Sequence, residues 1–390
     1  MPAAMRDAVI VGGGPAGLYV GLRLADAGFD VSLLEEHEAV GEPVHCTGVL
    51  ADETFDEFGL SRASVLNKLT TARFWSPSGK DVAYAGGHVG AVVVDRRLFD
   101  QNLLAEALRA GVSISSGCRV TTIDLSADGV SVGVTGGSQV RARVCVLACG
   151  ANYSLQRRLG LGLPGLFLQT AQLELAAERL GDVELHFGRD VAPKGFGWAV
   201  PVRRPDRPHV RVGVMCERNA PQHFQRVADS VADRWGFDRD SARRPRLKIL
   251  PLAPIPRTFA DRLVVVGAAA GLVKPTTGGG IYYGLVSAAL AAEVLSDALH
   301  AGDASAPALE AYERRWRGQL ASEFQAQHSL RLLAHRMTDD DIERLFELVR
   351  SDGVMPIVRQ TVSFNRHRKL ILALLKHAPV RQIVLNRLVC

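Results

Sequence analysis

Residues 7–35 read DAVIVGGGPAGLYVGLRLADAGFDVSLLE. Asp7–Val11 is the apolar, β-branched run of a buried strand, Leu18–Ala27 continues as a helix, and Val31–Leu34 is a second strand ending at Glu35. Between the first strand and the helix stands Gly12-Gly13-Gly14-Pro15-Ala16-Gly17, a GxGxxG with an acid 21 residues beyond Gly14. Each part has a job. Gly12 permits a sharp turn, Gly14 lets a pyrophosphate approach the backbone, and Gly17 lets helix and strand pack closely. The helix N-terminus at Pro15 and Ala16 favours phosphate charge. Glu35 would accept hydrogen bonds from an adenosine ribose, and Glu36 follows it at the same edge. A strand before the motif, a helix after it and an acid at this distance predict a Rossmann-like, dinucleotide-binding βαβ unit.

A second glycine-dense stretch, Gly267–Leu285, reads GAAAGLVKPTTGGGIYYGL and holds six glycines, a proline and two threonines. The short apolar run Arg262–Val266 precedes it, and Leu285–Leu295, rich in Ala and Leu, predicts the helix that follows. Strand, glycine turn and helix together present backbone N–H groups to an anion or a flat ring. Alone this is a tight connection. Paired with the N-terminal motif, it reads as the second half of one site.

Composition narrows the class. With 390 residues, 47% apolar and 22% charged, the chain is globular and has room for more than one domain. A net charge of +5 from scattered basic residues, with no aromatic interleaving, gives no nucleic-acid footprint. Cys46, Cys118, Cys145, Cys149, Cys216 and Cys390 form no CxxC pair, which predicts no metal site and free thiols in a reducing compartment. The N-terminus shows no charged-then-apolar leader, and no uninterrupted apolar run reaches the roughly 18–20 residues of a membrane span. A cytoplasmic location is expected.

Between the two glycine stretches, Gly41–Leu50 (GEPVHCTGVL) is a loop in which His45 and Cys46 stand out. Strands surround the Ser-Pro-Ser-Gly turn within Leu66–Tyr84. From Leu166 to Met215 the alternation lengthens into an antiparallel sheet, and so into a second domain. There Pro193–Pro201 (PKGFGWAVP) sets Phe196 and Trp198 two apart on one strand face. Core packing and the lining of an apolar pocket both fit that pair. Ala306–Arg350 is helical. Thr361–Cys390 holds six Lys or Arg and no acid; it fits either a terminal helix with a solvated basic face or a contact with an anionic membrane surface. The expected architecture is α/β. A Rossmann-like domain over 1–160 and 255–305 carries an inserted antiparallel-sheet substrate domain over 161–254, joined by strands near 60–90. A helical region over 306–390 follows.

Together these segments resemble the geranylgeranyl reductase family of flavoproteins, which share the broad fold of the aromatic hydroxylases. GGGPAG with Glu35 is similar to the family's FAD fingerprint. Cys46, Thr47 and Gly48 fall where the family contacts the flavin, and Arg96 and Val120 where it meets the FAD phosphates and adenine. PKGFGWAVP resembles the substrate-strand motif PxxYxWxFP, which implies substrate contacts at Phe196, Trp198 and Pro201. KPTTGGGIYYG is the most family-specific segment. Two positions depart from the pattern: Ala268 stands where the second fingerprint has an aspartate for the ribityl chain, and Ala148-Cys149-Gly150 replaces an ADG triplet.

The resemblance implies FAD-dependent reduction of isolated carbon–carbon double bonds in an isoprenoid chain. An unactivated alkene needs an apolar pocket against the flavin and a proton as well as a hydride. Gly267, Ala268, Gly279, Gly280 and Ile281 would hold the flavin side, the N–H groups of Gly280 and Ile281 stabilising its negative charge. Cys46, Tyr282 and Tyr283 are the candidate catalytic polar groups. No second GxGxxG serves NAD(P)H, so the reductant is transiently bound NAD(P)H, a ferredoxin or a quinol-linked partner. An isoprenoid lipid substrate would give the membrane-contact reading of the basic C-terminal tail a purpose, beside the alternative of a terminal helix with a solvated basic face. The rival readings are an FAD-dependent monooxygenase of an aromatic or lipid substrate, and a degenerate flavoprotein that relays electrons, which Ala268 keeps in view.

Overall fold

Parallel pairing organises the first sheet. The computed structural model describes residues 5–86, 90–351 and 353–385; the last five residues of the basic tail lie outside them. Strand β1 (Arg6–Val11) leads through helix α1 (Pro15–Asp26) to β2 (Val31–Leu34). Strand β3 (Ala91–Val94) and helix α2 (Arg96–Arg109) come next, followed by β4 (Ser113–Ser115) and β5 (Gln139–Leu147). Ala8, Val9 and Ile10 are fully buried, as a strand flanked on both sides requires. β1 runs parallel to both β2 and β5, and β2 runs parallel to β4. A hairpin, Val120–Ser126 with Gly129–Val134, pairs antiparallel to β5.

The second sheet has seven strands. Its centre is β6 (Phe167–Ala176), β7 (Phe196–Arg203) and β8 (Pro208–Cys216), all antiparallel neighbours. Helix α3 (Ala220–Trp235) packs on their outer face through Phe224, Val227, Ala228, Val231, Ala232 and Trp235, the i, i+3, i+4 spacing of an amphipathic helix. One edge is β9 (Arg246–Pro251), paired with β6. At the other side Val183–His186 runs parallel to Thr71–Trp75, so the expected antiparallel sheet contains one parallel pair. Its cause is connectivity: Thr71–Trp75 arrives from far upstream rather than from a hairpin.

The chain then returns to the first sheet with β10 (Leu263–Val265), parallel to β5, and enters helix α4 (Ile281–Ala301). At 21 residues α4 has the length and mean hydropathy, 1.2, of a membrane span, although Glu293 and Asp297 interrupt its apolar run. It is the central core helix, with 67% of that apolar window buried against α1 and its neighbours. Helix α5 (Ala306–Arg336) and α6 (Arg368–Lys376) close the back of the molecule.

Candidate cofactor and substrate cleft

A cleft of about 690 Å³ runs along the carboxyl ends of the parallel strands, where doubly wound sheets bind nucleotides. One end is lined by Glu35, Glu36, Arg119 and Val120, the middle by Gly12–Ala16, Ala148–Cys149 and Gly267–Ala268. Cys46, Thr47, Gly278, Gly280 and Ile281 follow. The far wall comes from the second sheet: Thr170, Gln172, Trp198, Met215, Lys248 and Leu250.

The nucleotide half is built by backbone. A Cβ on Gly12 would lie 2.5 Å from the Ala148 carbonyl oxygen, at φ +110°, and one on Gly17 would lie 2.0 Å from the Gly12 carbonyl oxygen. Gly14 has open space where a side chain would sit. Glu35 is nearly buried; its Oε2 accepts from the Gly13 N–H at 2.6 Å and its Oε1 from the His37 N–H at 3.0 Å. The His37 ring Nδ1 also meets Oε1 at 2.5 Å, so the acid clamps the glycine turn and keeps a lone pair on Oε2 for a ribose. The two glycine stretches approach each other closely: a Cβ on Gly267, where φ is +62°, would lie 3.0 Å from the Ala16 methyl and 3.6 Å from the Gly284 Cα.

The other half is built by side chains. Arg96 reaches one turn along the helix to the buried Asp100 with bonds of 2.9 to 3.2 Å, its own side chain 13% exposed. Burial opposes its charge, but Asp100 and the neighbouring Cys46 more than offset that and hold the guanidinium ionised. Arg211, at 2% exposure, donates to Glu174 at 2.7 Å, to the Thr47 carbonyl at 2.6 Å and to the Val94 carbonyl at 2.9 Å. It thereby pins the Cys46–Gly48 turn to the second sheet. Gly48 has φ +70°, and a Cβ there would sit 2.6 Å from that guanidinium. Arg204 extends the network from Glu174 to Asp95, the residue that caps α2. The Thr47 hydroxyl donates to Gln172. Gly213 leaves room for the Trp198 indole, whose atoms a Cβ would meet at 2.3 Å.

Behind the cleft, the turn Lys274–Gly280 is stitched to the C-terminal region. Lys274, 2% exposed, donates to the Phe364 carbonyl at 2.8 Å and lies over that ring at 4.3 Å. Burial lowers its pKa to about 7, with Glu53 opposing. Thr276 bonds Gln327 and His367, and Arg331 donates to the Pro275 carbonyl. The Tyr153 hydroxyl donates to the Ala268 carbonyl at 2.6 Å from the other side.

Most cofactor-side residues expected from sequence do line the cleft, but others do not. Tyr282 and Tyr283 are corrected. Helical geometry turns Gly280, Ile281 and Gly284 to the cleft and the two tyrosines to the opposite face. Tyr282 donates to Glu57 at 3.0 Å, and Tyr283 donates to the Asn365 carbonyl at 3.1 Å with no exposure at all. Burial raises both phenol pKa values. Gly17, Gly48 and Gly279 support the walls without lining them; Gly279 makes space for the Lys274 chain. Phe196 packs against Trp198 and Phe187 with ring centroids 5.9 and 6.0 Å away, and Pro201 is buried in β7 with its carbonyl on Asn67. The missed residues, Thr170, Gln172, Met215 and Lys248, left a readable signal. Thr170, Gln172 and Glu174 alternate with Ala171, Leu173 and Leu175, the pattern of a strand with one polar face.

Two polar atoms in the cleft wall, His45 Nδ1 and Trp198 Nε1, are buried without a hydrogen-bond partner. Burial first, then Lys248 and Arg246, lower the His45 pKa to about 4, so its ring is neutral near pH 7. Such orphans cost about 1–3 kcal/mol each unless a bound group satisfies them. An extended dinucleotide with a polar flat ring fits the site: backbone turns for its phosphates, Glu35 for a ribose, and unpartnered polar atoms on His45 and Trp198 along the wall.

Fold and site define a dinucleotide-binding flavoprotein with a second sheet closing over the cofactor cleft. A family model described as "Lycopene cyclase protein" matches residues 7–351. The digeranylgeranylglycerophospholipid reductase of Methanocaldococcus jannaschii is 31% identical over 358 residues, covering 87% of this chain and 90% of the relative. That of Methanothrix thermoacetophila is 29% identical, covering 89% and 92%. A crystal structure of a geranylgeranyl bacteriochlorophyll reductase-like protein from Thermoplasma acidophilum superposes with a TM-score of 0.84 at 21% identity, covering 98% of this chain and 99% of that one. Halogenase PltM in complex with FAD shares the fold at a TM-score of 0.68 and 16% identity, covering 98% and 86%. The chain belongs to the flavoprotein group of the lycopene cyclase model and, within it, to the geranylgeranyl reductase family.

Proposed function

We propose that this chain is an FAD-dependent oxidoreductase that hydrogenates carbon–carbon double bonds of a geranylgeranyl-type isoprenoid chain. The observation that carries the reading is the continuity of the cleft: a backbone-built dinucleotide half opens into a wall bearing Trp198, Met215 and Leu250, with Cys46 and Thr47 between them. The reductases among its relatives support the same chemistry.

Gly12–Ala16, Glu35, Gly267 and Gly280–Ile281 would hold the FAD, and when reduced it supplies the hydride. Trp198, Met215 and Leu250 would exclude water and lay an apolar chain against the ring end of the cleft. An isolated alkene also needs a proton at the second carbon. With both tyrosines turned away, Cys46 is the one of the three candidate polar groups that stays at the cleft, its Sγ beside the Arg96 guanidinium, and it would be the proton donor. Arg211, through the Thr47 carbonyl, sets where that thiol points.

Anaerobic incubation of the reduced holoprotein with a digeranylgeranyl lipid, read by mass spectrometry, tests the reading. Hydrogenation adds two mass units per double bond. Cyclisation, which the family model raises as a second reading, leaves mass unchanged, and oxygen insertion in air adds sixteen. Turnover with NAD(P)H against turnover with reduced ferredoxin identifies the donor. Contact of the basic tail with a membrane belongs to this proposal too. Deleting residues 361–390 is a poor test of it, because Phe364 and His367 brace the turn Lys274–Gly280.

A further inference from the structure

Strand β9 is the edge of the second sheet and also the lip of the cleft, whose lining includes Lys248, Ile249 and Leu250. Helix α3 packs on β6, β7 and β8 and leaves the outer face of β9 to solvent. On that face Leu247 and Ile249 are 54% and 55% exposed. They sit opposite Ala171 and Gln169 of β6, so their exposure comes from position at the sheet edge, not from a local bulge. Soluble proteins usually guard a free edge by pointing charge along it, and two large aliphatics there are out of place.

Charge gathers beside them. The segment Ala242–Leu250 reads ARRPRLKIL. Arg239 and Arg243 are paired with Asp233 and Asp240. Arg244 and Arg246 are exposed and, among the described residues, have no carboxylate within ion-pair distance, Arg246 donating only to the Val44 carbonyl at 2.8 Å; Lys248 turns to the cleft instead. Uncompensated cations flanking protruding aliphatic side chains are the chemistry of a surface that settles on an anionic bilayer.

We propose that β9 and the turn before it dock this protein on an anionic lipid bilayer, so that the mouth of the cleft opens at the membrane surface. This deepens the reading above and rests on its lipid substrate. An isoprenoid chain drawn from the bilayer would pass over Leu247 and Ile249 and enter along Leu250 and Trp198 without crossing water. The basic tail carries the competing surface, through Lys369 and Leu372.

The test uses full-length holoprotein and two double variants, Arg244→Glu with Leu247→Ser and, as the tail control, Lys369→Glu with Leu372→Ser. None of these four residues lines the cleft. Binding to vesicles of equal phosphatidylglycerol and phosphatidylcholine is read by co-sedimentation. Turnover of a digeranylgeranyl lipid is read both in those vesicles and in detergent micelles. Each surface cation contributes about fivefold to such binding, so the β9 variant should bind the vesicles at least tenfold more weakly. Its turnover in vesicles should fall in proportion, with turnover in micelles equal to the parent's. Unchanged vesicle binding by the β9 variant overturns the proposal. So does loss confined to the tail variant, or a parent dimer that the β9 substitutions dissociate, which would make the edge a contact between two copies. Absence of turnover in micelles by the parent protein would instead remove the reductase reading, and vesicle binding would still decide the docking surface by itself.

Discussion

The two halves of the cleft are held in different ways. At the nucleotide end the shape is fixed by missing atoms: Gly12, Gly17 and Gly267 sit where a single methyl group would strike backbone or a methyl already in place. At the reaction end the shape is fixed by atoms that are present, with Arg211, Arg96 and Lys274 reaching in from three parts of the chain. Steric exclusion is all or nothing. A network of hydrogen bonds weakens by degrees and responds to pH. Damage to the first half should therefore be abrupt, and damage to the second should be graded.

Substitution Gly17→Ala should break the first half outright. Its Cβ would lie 2.0 Å from the Gly12 carbonyl oxygen, so α1 must separate from β1, at a cost above about 4 kcal/mol. Loss of yellow holoprotein and a collapsed thermal midpoint are the expected result; normal FAD retention would end the contrast between the halves. Next in size, Arg211→Met should leave Glu174 under-compensated and the Thr47 carbonyl unbonded, destabilising the fold by about 3 kcal/mol. Its signature is a fall in kcat of tenfold or more with FAD affinity held, whereas a loss of FAD alone would show that the turn serves the nucleotide end.

Lys274 makes the comparison quantitative through pH. Burial holds its folded pKa near 7, while the unfolded chain keeps the proton up to about 10.5. Between those values the unfolded state binds more protons, so stability rises with pH, by at most about 1.4 kcal/mol per unit, and is flat below the folded value. Urea midpoints at about pH 7 and pH 9 should show this rise in the parent and lose it in Lys274→Met; equal slopes would mean the ammonium stays charged. The smallest effect is expected of Ala268→Asp, which restores a ribityl partner and should tighten FAD by about 1–2 kcal/mol in a fluorescence titration. Weaker binding would mean that the Ala268 turn, anchored by Tyr153, has no room for the carboxylate.

The same contrast explains what could be read in the sequence. The nucleotide end is contiguous, since Gly12, Gly14, Gly17 and Glu35 fall within one βαβ unit, and their spacing is their geometry. The opening lip of the second half, KPTTGGG, was legible for the same reason. Its supports were not. Arg211 sits in VRVGV and Gln172 in TAQLE, where alternation shows which residues share a face but not that this face looks onto Thr47. Tyr282 and Tyr283 were misplaced because adjacency to Gly280 and Ile281 along the chain was read as adjacency in space, and a helix turns about 100° per residue.

The brace behind Lys274 has a consequence for the order of events. Phe364, Asn365 and His367 hold the turn Lys274–Gly280 and its helix from the rear, and Asn365 also reaches Glu53 near the front of the chain. A nascent polypeptide leaves the ribosome from its N-terminus, so residues 12 to 35 can take up their turn while the brace is still untranslated. Until Phe364 emerges, Lys274 has no carbonyl to meet, and the turn is held from behind by Gln327 and Arg331 alone. Completion of the cofactor cleft is then a late step in folding, and a chain clipped before Phe364 should hold its FAD less firmly than the full chain.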